Sequence, residues 1–221
     1  MEINELNKLL LEKLSNRLKQ SEETLKQMDS AYSEVIEVKQ RLLNYDLKQF
    51  KINVEDRIKN KLIEEWEKYS TRGNVSAYDM IYFEYNSESY ELTQAYSYGI
   101  YDIKNYKLSI EDYYMGDEYK YNKDWYAGEG LILEPFKTTE AMDYSRVGDS
   151  NRHDLISYLD PESGRDEIWS YIHDICNYVL HNSFKNADEK GLLDSIKLKS
   201  GGFFSYNEHD YGLSMPFYIK K

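Results

Sequence analysis

The sequence predicts an α+β fold, in which a long N-terminal helical segment, either a helical hairpin or a coiled coil, precedes an antiparallel sheet covered by helix. Two observations predict this order. All 11 glycines and all 3 prolines lie at or after Gly73, so residues 1–72 contain no helix breaker. From Tyr78 onward, side chains alternate with a period of two, which is typical of strands. We therefore divide the chain into a helical segment, residues 1–72, and an α+β domain, residues 73–221.

The helical segment carries a heptad-like apolar stripe over residues 11–42. Its members follow alternating spacings of three and four, with polar interruptions at Ser21 and Lys39: Leu11, Leu14, Leu18, Leu25, Met28, Tyr32, Val35 and Leu42. This pattern suits a coiled-coil seam, with a second copy of the chain as the partner. It also suits packing against a second helix capped by Asn53, whose apolar face includes Ile58 and Trp66.

The α+β domain begins with a predicted hairpin, because alternating residues flank the turn-forming segment Asn86–Ser89. Further strands are predicted at Tyr106–Ile110, at Gly130–Phe136, and on both sides of a turn at Ser200–Gly202. A helix interrupts them, since apolar residues recur at helical spacing from Ile168 to Leu180 after the acidic pair at 166 and 167. Such an arrangement predicts an antiparallel sheet with one face covered by helix.

The charge of the chain disfavours several classes of partner. With 40 Asp and Glu against 28 Lys and Arg, the net charge is -12, and the chain should repel nucleic-acid backbones and anionic membranes. Residues 1–72 hold equal numbers of acids and bases, so the whole excess belongs to residues 73–221. A single cysteine, Cys176, and the lack of a signal-like apolar run at the N-terminus favour a cytoplasmic location.

Sequence patterns give no specific catalytic, cofactor-binding or metal-binding site. His173, Cys176 and His181 occur on one predicted helix, but their helical angles diverge, so we interpret Cys176 as a buried structural thiol. The segment Asp149–Asp160 resembles a calcium loop but lacks its glycine and its final glutamate. An enzymatic site near His209 remains a minor alternative, because His209 and Asp210 could act in general acid–base chemistry.

The most informative feature is a mixture of acids and aromatic residues between residues 106 and 126. Tyrosine offers a large contact area at a low entropic cost, and carboxylates attract the Lys and Arg of a partner. The sequence predicts partner-binding residues at Tyr113, Tyr114, Asp117, Glu118, Tyr119, Tyr121, Asp124 and Trp125. The alternative is compositional background, since 23 of the 221 residues are tyrosine.

Three segments resemble parts of the small acidic immunity proteins, or antitoxins, of bacterial toxin systems. They are EEWEKY at Glu64–Tyr69, the tyrosine-rich strand pair within Met80–Gly99, and IKLKSGGFFSYNEHDY at Ile196–Tyr211. The resemblance implies a tight, stoichiometric, non-enzymatic inhibitor, and it transfers no individual site residue.

The leading hypothesis is therefore a cytoplasmic bacterial protein-binding module that captures a basic protein, such as a toxin or nuclease, without a cofactor. The alternative is a structural adaptor that self-associates through residues 11–42. The two hypotheses differ in what the apolar stripe contacts, which the fold can test.

Overall fold

A computed structural model describes residues 2–72, 74–85, 93–104, 110, 119–142, 164–208 and 215–221, and it confirms the α+β class. The helices are α1 (Ile3–Gln27), α2 (Ser33–Leu43), α3 (Leu47–Arg57), α4 (Ile63–Thr71) and α5 (Arg165–Glu189). The strands are β1 (Tyr78–Tyr85), β2 (Gln94–Tyr101), β3 (Lys120–Tyr121), β4 (Gly128–Ile132), β5 (Leu198–Glu208) and β6 (Tyr218–Ile219). A π-helical turn (Ile58–Leu62) joins α3 to α4, and two 3₁₀ segments cover Lys123–Trp125 and Glu134–Met142. The predicted strand at Tyr106–Ile110 and the predicted turn at Asn86–Ser89 fall almost wholly outside the described residues.

The apolar stripe over residues 11–42 is divided between α1 and α2, and it packs inside the chain. Leu14, Leu25, Val35 and Leu42 are buried, since α1 packs against α5 and β6 while α2 packs against α5 and the second 3₁₀ segment. The polar interruption at Lys39 has a structural role, because its ammonium donates to the Met28 carbonyl at 2.5 Å near the end of α1. The stripe therefore builds this chain's own core and gives no support to a coiled-coil seam with a second copy.

The helix from Leu47 to Thr71 buries every fourth residue, namely Phe50, Val54, Ile58, Leu62, Trp66 and Ser70. An α-helix turns through about 100° per residue, so each step of four would rotate the buried face by about 40°. The π-helical turn contains more residues per turn, and it reduces this drift. Asn53 lies inside α3 and is not its cap, because the Asp46 carboxylate accepts from the Gln49 N–H at 2.9 Å.

The sheet is mixed, which corrects the antiparallel prediction. The strand order is β3-β2-β1-β5-β6, and β4 pairs with the start of β2 while β3 pairs with its end. β1 and β2 are antiparallel, as the predicted hairpin requires, but β1 and β5 are parallel, with Tyr82 beside Ser205. A parallel pair needs a long crossover, and the crossover from β1 to β5 includes α5.

The turn predicted at Ser200–Gly202 is instead a bulge inside β5. Leu198 pairs with Tyr78, whereas Phe203 pairs with Met80, so the intervening residues of β5 are extra. Gly201 adopts a φ of 78°, a left-handed conformation that glycine reaches without steric cost. Its N–H donates to the Lys220 carbonyl at 2.9 Å, so the bulge pairs with the segment after β6.

One hydrophobic core lies between the helices and the inner face of the sheet. Trp66 of α4 packs on Phe83 of β1 with ring centroids 5.5 Å apart, and Phe184 of α5 packs on Phe204 of β5 at 4.5 Å. These residues come from both sides of position 73, so the helical segment and the α+β domain share this core. The outer face of the sheet carries a second apolar cluster, which the start of α1 contacts through Leu6.

Side chains from the helices cover the sheet edges. The Asn7 amide group donates to the Ile219 carbonyl at 2.7 Å and accepts from its N–H at 3.1 Å, as a neighbouring strand would. At the other edge, the Trp66 indole donates to the Glu129 carbonyl at 2.9 Å. None of the described helices is both long and apolar enough to cross a membrane.

Candidate functional site: a tyrosine surface on the outer face of the sheet

Tyrosines from neighbouring strands gather on the outer face of the sheet because side chains alternate along each strand. Tyr82 of β1 pairs directly with Tyr98 of β2, and Tyr121 of β3 pairs with Ile100, two residues beyond Tyr98. The strand register therefore places these rings on one face. We define the tyrosine surface as Tyr82, Tyr98, Tyr119, Tyr121 and Tyr126.

The rings of the tyrosine surface pack edge to face. The Tyr98 ring centroid lies 4.9 Å from that of Tyr126 at 85°, and 5.6 Å from that of Tyr121 at 66°. Tyr121 and Tyr126 are 5.8 Å apart at 81°, and the Tyr119 ring stands at 77° to that of Tyr121. Edge-to-face pairs bring the positive edge of one ring to the negative face of the next, so the contacts hold each ring in place.

Exposure increases sharply across the tyrosine surface. Tyr82 and Tyr98 are only 2% and 7% exposed, Tyr119 and Tyr121 are half-buried, and Tyr126 is 63% exposed. Among the described residues, the large hydrophobic side chains that are exposed are Tyr126 and Ile52. The buried rings therefore support one projecting ring from below, and together they form an aromatic platform.

The hydroxyl groups of Tyr82 and Tyr98 lie near a carboxylate. Glu84 follows Tyr82 by two residues on β1, so it shares the outer face, and its carboxylate lies 3.5 Å from the Tyr98 hydroxyl. Burial, reinforced by Glu84, raises the pKa of Tyr82 and the pKa of Tyr98 above the ordinary value for tyrosine. At neutral pH the site thus combines neutral phenols with a negative charge, a combination that attracts cationic groups.

The structure describes half of the predicted partner-binding residues. Tyr119 and Tyr121 belong to the tyrosine surface, and Asp124 is exposed in the 3₁₀ segment beside it. Trp125 is fully buried; its indole donates to the Ser97 hydroxyl at 3.0 Å and packs against Tyr78. It anchors the segment that carries Tyr126 and presents no surface of its own. The remaining predictions, Tyr113, Tyr114, Asp117 and Glu118, lie outside the described residues.

Sequence reasoning did not assign Tyr82, Tyr98 or Tyr126 to the site. A usable signal was present, because Tyr82 and Glu84 on one predicted strand, and Tyr96 and Tyr98 on the next, share a period of two. The strand register needed to place the two pairs side by side could not be read from the alternation alone.

The residues considered for catalysis do not converge in the described part of the chain. His173 lies between the hydroxyl groups of Tyr85 and Tyr206, at 2.9 and 3.1 Å, while the His181 ring contacts the Phe217 carbonyl at 2.8 Å. Burial raises the pKa of the Cys176 thiol, which disfavours the nucleophilic thiolate. No group of three His, Cys, Asp or Glu residues that could hold a metal occurs within the described ranges. The Asp149–Asp160 segment, His209 and Asp210 lie outside them.

Comparison of the chain with protein-family models, with curated proteins and with solved structures gives no match. Its function must therefore be inferred from its own chemistry. The tyrosine surface can bury aromatic area against a partner, form hydrogen bonds through phenol hydroxyls, and attract cations through the nearby carboxylates.

Proposed function

We propose that this protein is a non-enzymatic binding module that captures a basic protein through the tyrosine surface. The proposal rests on the exposure of Tyr126. Its ring packs on those of Tyr98 and Tyr121, yet 63% of the residue is exposed. Fixed aromatic side chains lose little entropy on binding, and tyrosine is common among the residues that dominate interface energies. The same cluster has no catalytic group in its described part beyond phenols and Glu84, which favours binding over chemistry.

Electrostatics favours a basic partner. The net charge of -12 belongs to residues 73–221, the part of the chain that forms the sheet. Glu84 and Asp124 add carboxylates at or beside the tyrosine surface. Complementary charge increases the rate of encounter and excludes acidic competitors, while the aromatic contacts supply most of the affinity.

An immunity protein or antitoxin of a bacterial toxin system is the specific form of this proposal. Such an inhibitor would bind the basic, substrate-binding surface of a toxin or nuclease in the cytoplasm, so that its carboxylates occupy the positions of nucleic-acid phosphates. The resemblance at Glu64–Tyr69, Met80–Gly99 and Ile196–Tyr211 supports this form. The acidic charge is consistent with direct competition for a phosphate-binding surface.

The first step of the test is to cross-link the wild-type protein in cells of its native host and to identify the partner that is purified with it. We expect a basic protein whose association slows as salt is added, because exposed charges are screened within about 10 Å at 0.1 M salt. Tyr126→Ala should weaken binding by about tenfold or more, which corresponds to about 1.4 kcal/mol. Dissociation and association rates are measured by surface plasmon resonance.

Ile52→Ala is the matched control, because Ile52 is also an exposed large hydrophobic residue but lies on α3. It should leave the affinity unchanged. Equal losses in both variants, unaltered binding by Tyr126→Ala, or association that is insensitive to salt would each contradict the proposal.

A further inference from the structure

A cavity of about 340 Å³ lies on the helical side of the sheet, opposite to the tyrosine surface. Residues from the end of α3, the π-helical turn and the last turns of α5 line it. This volume is within the range that suits small-molecule ligands. The cavity is separate from the proposed protein-binding function, so the two can be tested independently.

The floor of the cavity contains an unsatisfied hydroxyl group. Ser183 is fully buried, lines the cavity, and its Oγ has no hydrogen-bond partner among the residues that the structure describes. The buried Ser70 behaves differently, because its hydroxyl donates to the Glu67 carbonyl of its own helix at 3.0 Å. A buried hydroxyl without a partner destabilises the folded chain. The Oγ atom itself has almost no accessible surface, so the hydroxyl must rotate towards the cavity for a polar ligand atom to recover this hydrogen bond.

The rim of the cavity carries both signs of charge. Glu55 and Asp56 provide two carboxylates, and Asn186 of α5 donates to Glu55 at 2.7 Å, which holds that carboxylate across the gap between the helices. Lys59 and Lys190 provide two ammonium groups. The Glu55 carboxylate also lies 3.6 Å from the Lys51 ammonium, outside the lining. Because the lining itself holds two acidic and two basic side chains, it favours a ligand that carries one positive and one negative group over a simple anion or cation.

The remaining walls are apolar. Ile58 comes from the π-helical turn, Ala187 from α5 one turn beyond Ser183, and Leu192 from the segment that follows α5. Ala187 leaves space where a larger side chain would fill the cavity. An aliphatic group of four or five carbon atoms would bury its apolar surface here.

We propose that this cavity binds a small zwitterion of the amino-acid type with a branched aliphatic side chain. Its ammonium group lies towards Glu55 and Asp56, and its carboxylate lies towards Lys59 and Lys190. The aliphatic side chain packs on Ile58, Ala187 and Leu192, and a ligand oxygen accepts a hydrogen bond from Ser183. The site needs no contribution from the tyrosine surface.

The experiment is a titration of the full chain with L-leucine, followed by calorimetry and by amide shifts in NMR spectra. We expect saturable binding with shifts confined to residues 55–59 and 183–192. The analogues 4-methylpentanoate and 3-methylbutylamine, which each lack one charge, should bind at least about tenfold more weakly, because each loses the attraction of either the acidic or the basic side chains of the lining. Equal binding of either analogue would overturn the zwitterion assignment.

Ser183→Ala should weaken leucine binding about tenfold, and Ala187→Met should abolish it by filling the cavity. Ser70→Ala is the matched control, because it removes a buried helical hydroxyl that is already paired, and it should bind leucine as the wild type does. Absence of saturable binding by the wild type, or wild-type affinity in Ser183→Ala, would overturn the proposal. Loss of binding in Ser70→Ala would also overturn it, because the effect would then be unspecific.

Discussion

At the scale of single residues, His173 shows how a reactive group can serve structure. Both of its ring nitrogens contact tyrosine hydroxyls, those of Tyr85 and Tyr206, and its ring stacks on Tyr206 at an angle of 11°. Burial, together with the charge of Arg17, lowers the pKa of His173 to about 4. Burial also lowers the pKa of His181 to about 4. Both side chains are therefore neutral members of the core.

These two histidines predict a loss of stability in mild acid. Their pKa in the unfolded chain is about 6.5, so between pH 6.5 and pH 4 the unfolded state binds protons that the folded state excludes. The contribution of the two neutral histidines to the free energy of unfolding is therefore fully present above pH 6.5, and it decreases as the pH falls towards 4. From pH 7 to pH 5.5, each histidine should lower the free energy of unfolding by about 1 kcal/mol. Urea unfolding at the two pH values measures the change.

His173→Gln supplies the control, because glutamine is polar but does not titrate. About half of the pH-dependent loss should disappear in this variant. A wild-type stability that is constant from pH 7 to pH 5.5 would show that neither histidine is held neutral by the fold.

Individual site residues were predicted from the sequence only where local pattern was sufficient. Tyr119 and Tyr121 were recognised by their acidic and aromatic neighbours, and both belong to the tyrosine surface. The burial of Trp125 depends on a distant residue: at Gly99, a Cβ would lie 2.8 Å from the Trp125 ring, so only glycine leaves room for the indole. Contacts of this kind join strands that are separate in sequence, and composition does not reveal them.

At the scale of elements, residues 1–72 were correctly predicted to be helical, but the helix ends within them were not. No glycine or proline marks the break between α1 and α2, which instead depends on tertiary contacts such as the Lys39 ammonium at the end of α1. The parallel pairing of β1 with β5 was missed because alternation of side chains specifies a strand but not its neighbour. The π-helical turn, in contrast, has a readable origin in the four-residue spacing of buried side chains.

That spacing predicts that one residue of the π-helical turn is dispensable. Deletion of the exposed Asn60 should convert the turn to a regular α-helix and leave Phe50 and Trp66 on the same face, because the spacing from Ile58 to Leu62 becomes three. We expect the variant to fold with a loss of at most about 2 kcal/mol. Circular dichroism and urea unfolding provide the measurement.

Deletion of the exposed Glu64 is the matched control, since it removes one residue from the regular helix α4. It should rotate Trp66 out of its contacts with Phe83 and Phe184, and cost about 3 kcal/mol or more. If the two deletions were equally damaging, the π-helical turn would not be the element that adjusts the register.

At the scale of the whole molecule, the burial of the stripe predicts a monomer of 26.3 kDa. Leu14, a stripe residue, is 1% exposed within a single chain. Leu14→Asp should therefore place a charge in the core and unfold the protein, at a cost of about 3 kcal/mol or more. Light scattering during size-exclusion chromatography, combined with circular dichroism, distinguishes unfolding from dissociation.

Asn16→Asp introduces the same carboxylate at an exposed position of α1 and should leave both mass and fold unchanged. A wild-type dimer that Leu14→Asp converts into a folded monomer would instead support the structural adaptor. The adaptor hypothesis and the binding module thus make opposite predictions for one substitution.

The parallel pairing of β1 with β5 has a consequence for how the chain folds during synthesis. Asp79 of β1 and Lys199 of β5 form an ion pair although they are 120 residues apart. At translation rates of about 5–20 residues per second, the interval between the synthesis of β1 and that of β5 is on the order of ten seconds. During that interval the edge of β1 that later pairs with β5 is unpaired, and unpaired apolar strand edges are prone to aggregation. Slow folding that is limited by this contact, rather than by the rapid formation of the helices, should set the yield of native protein.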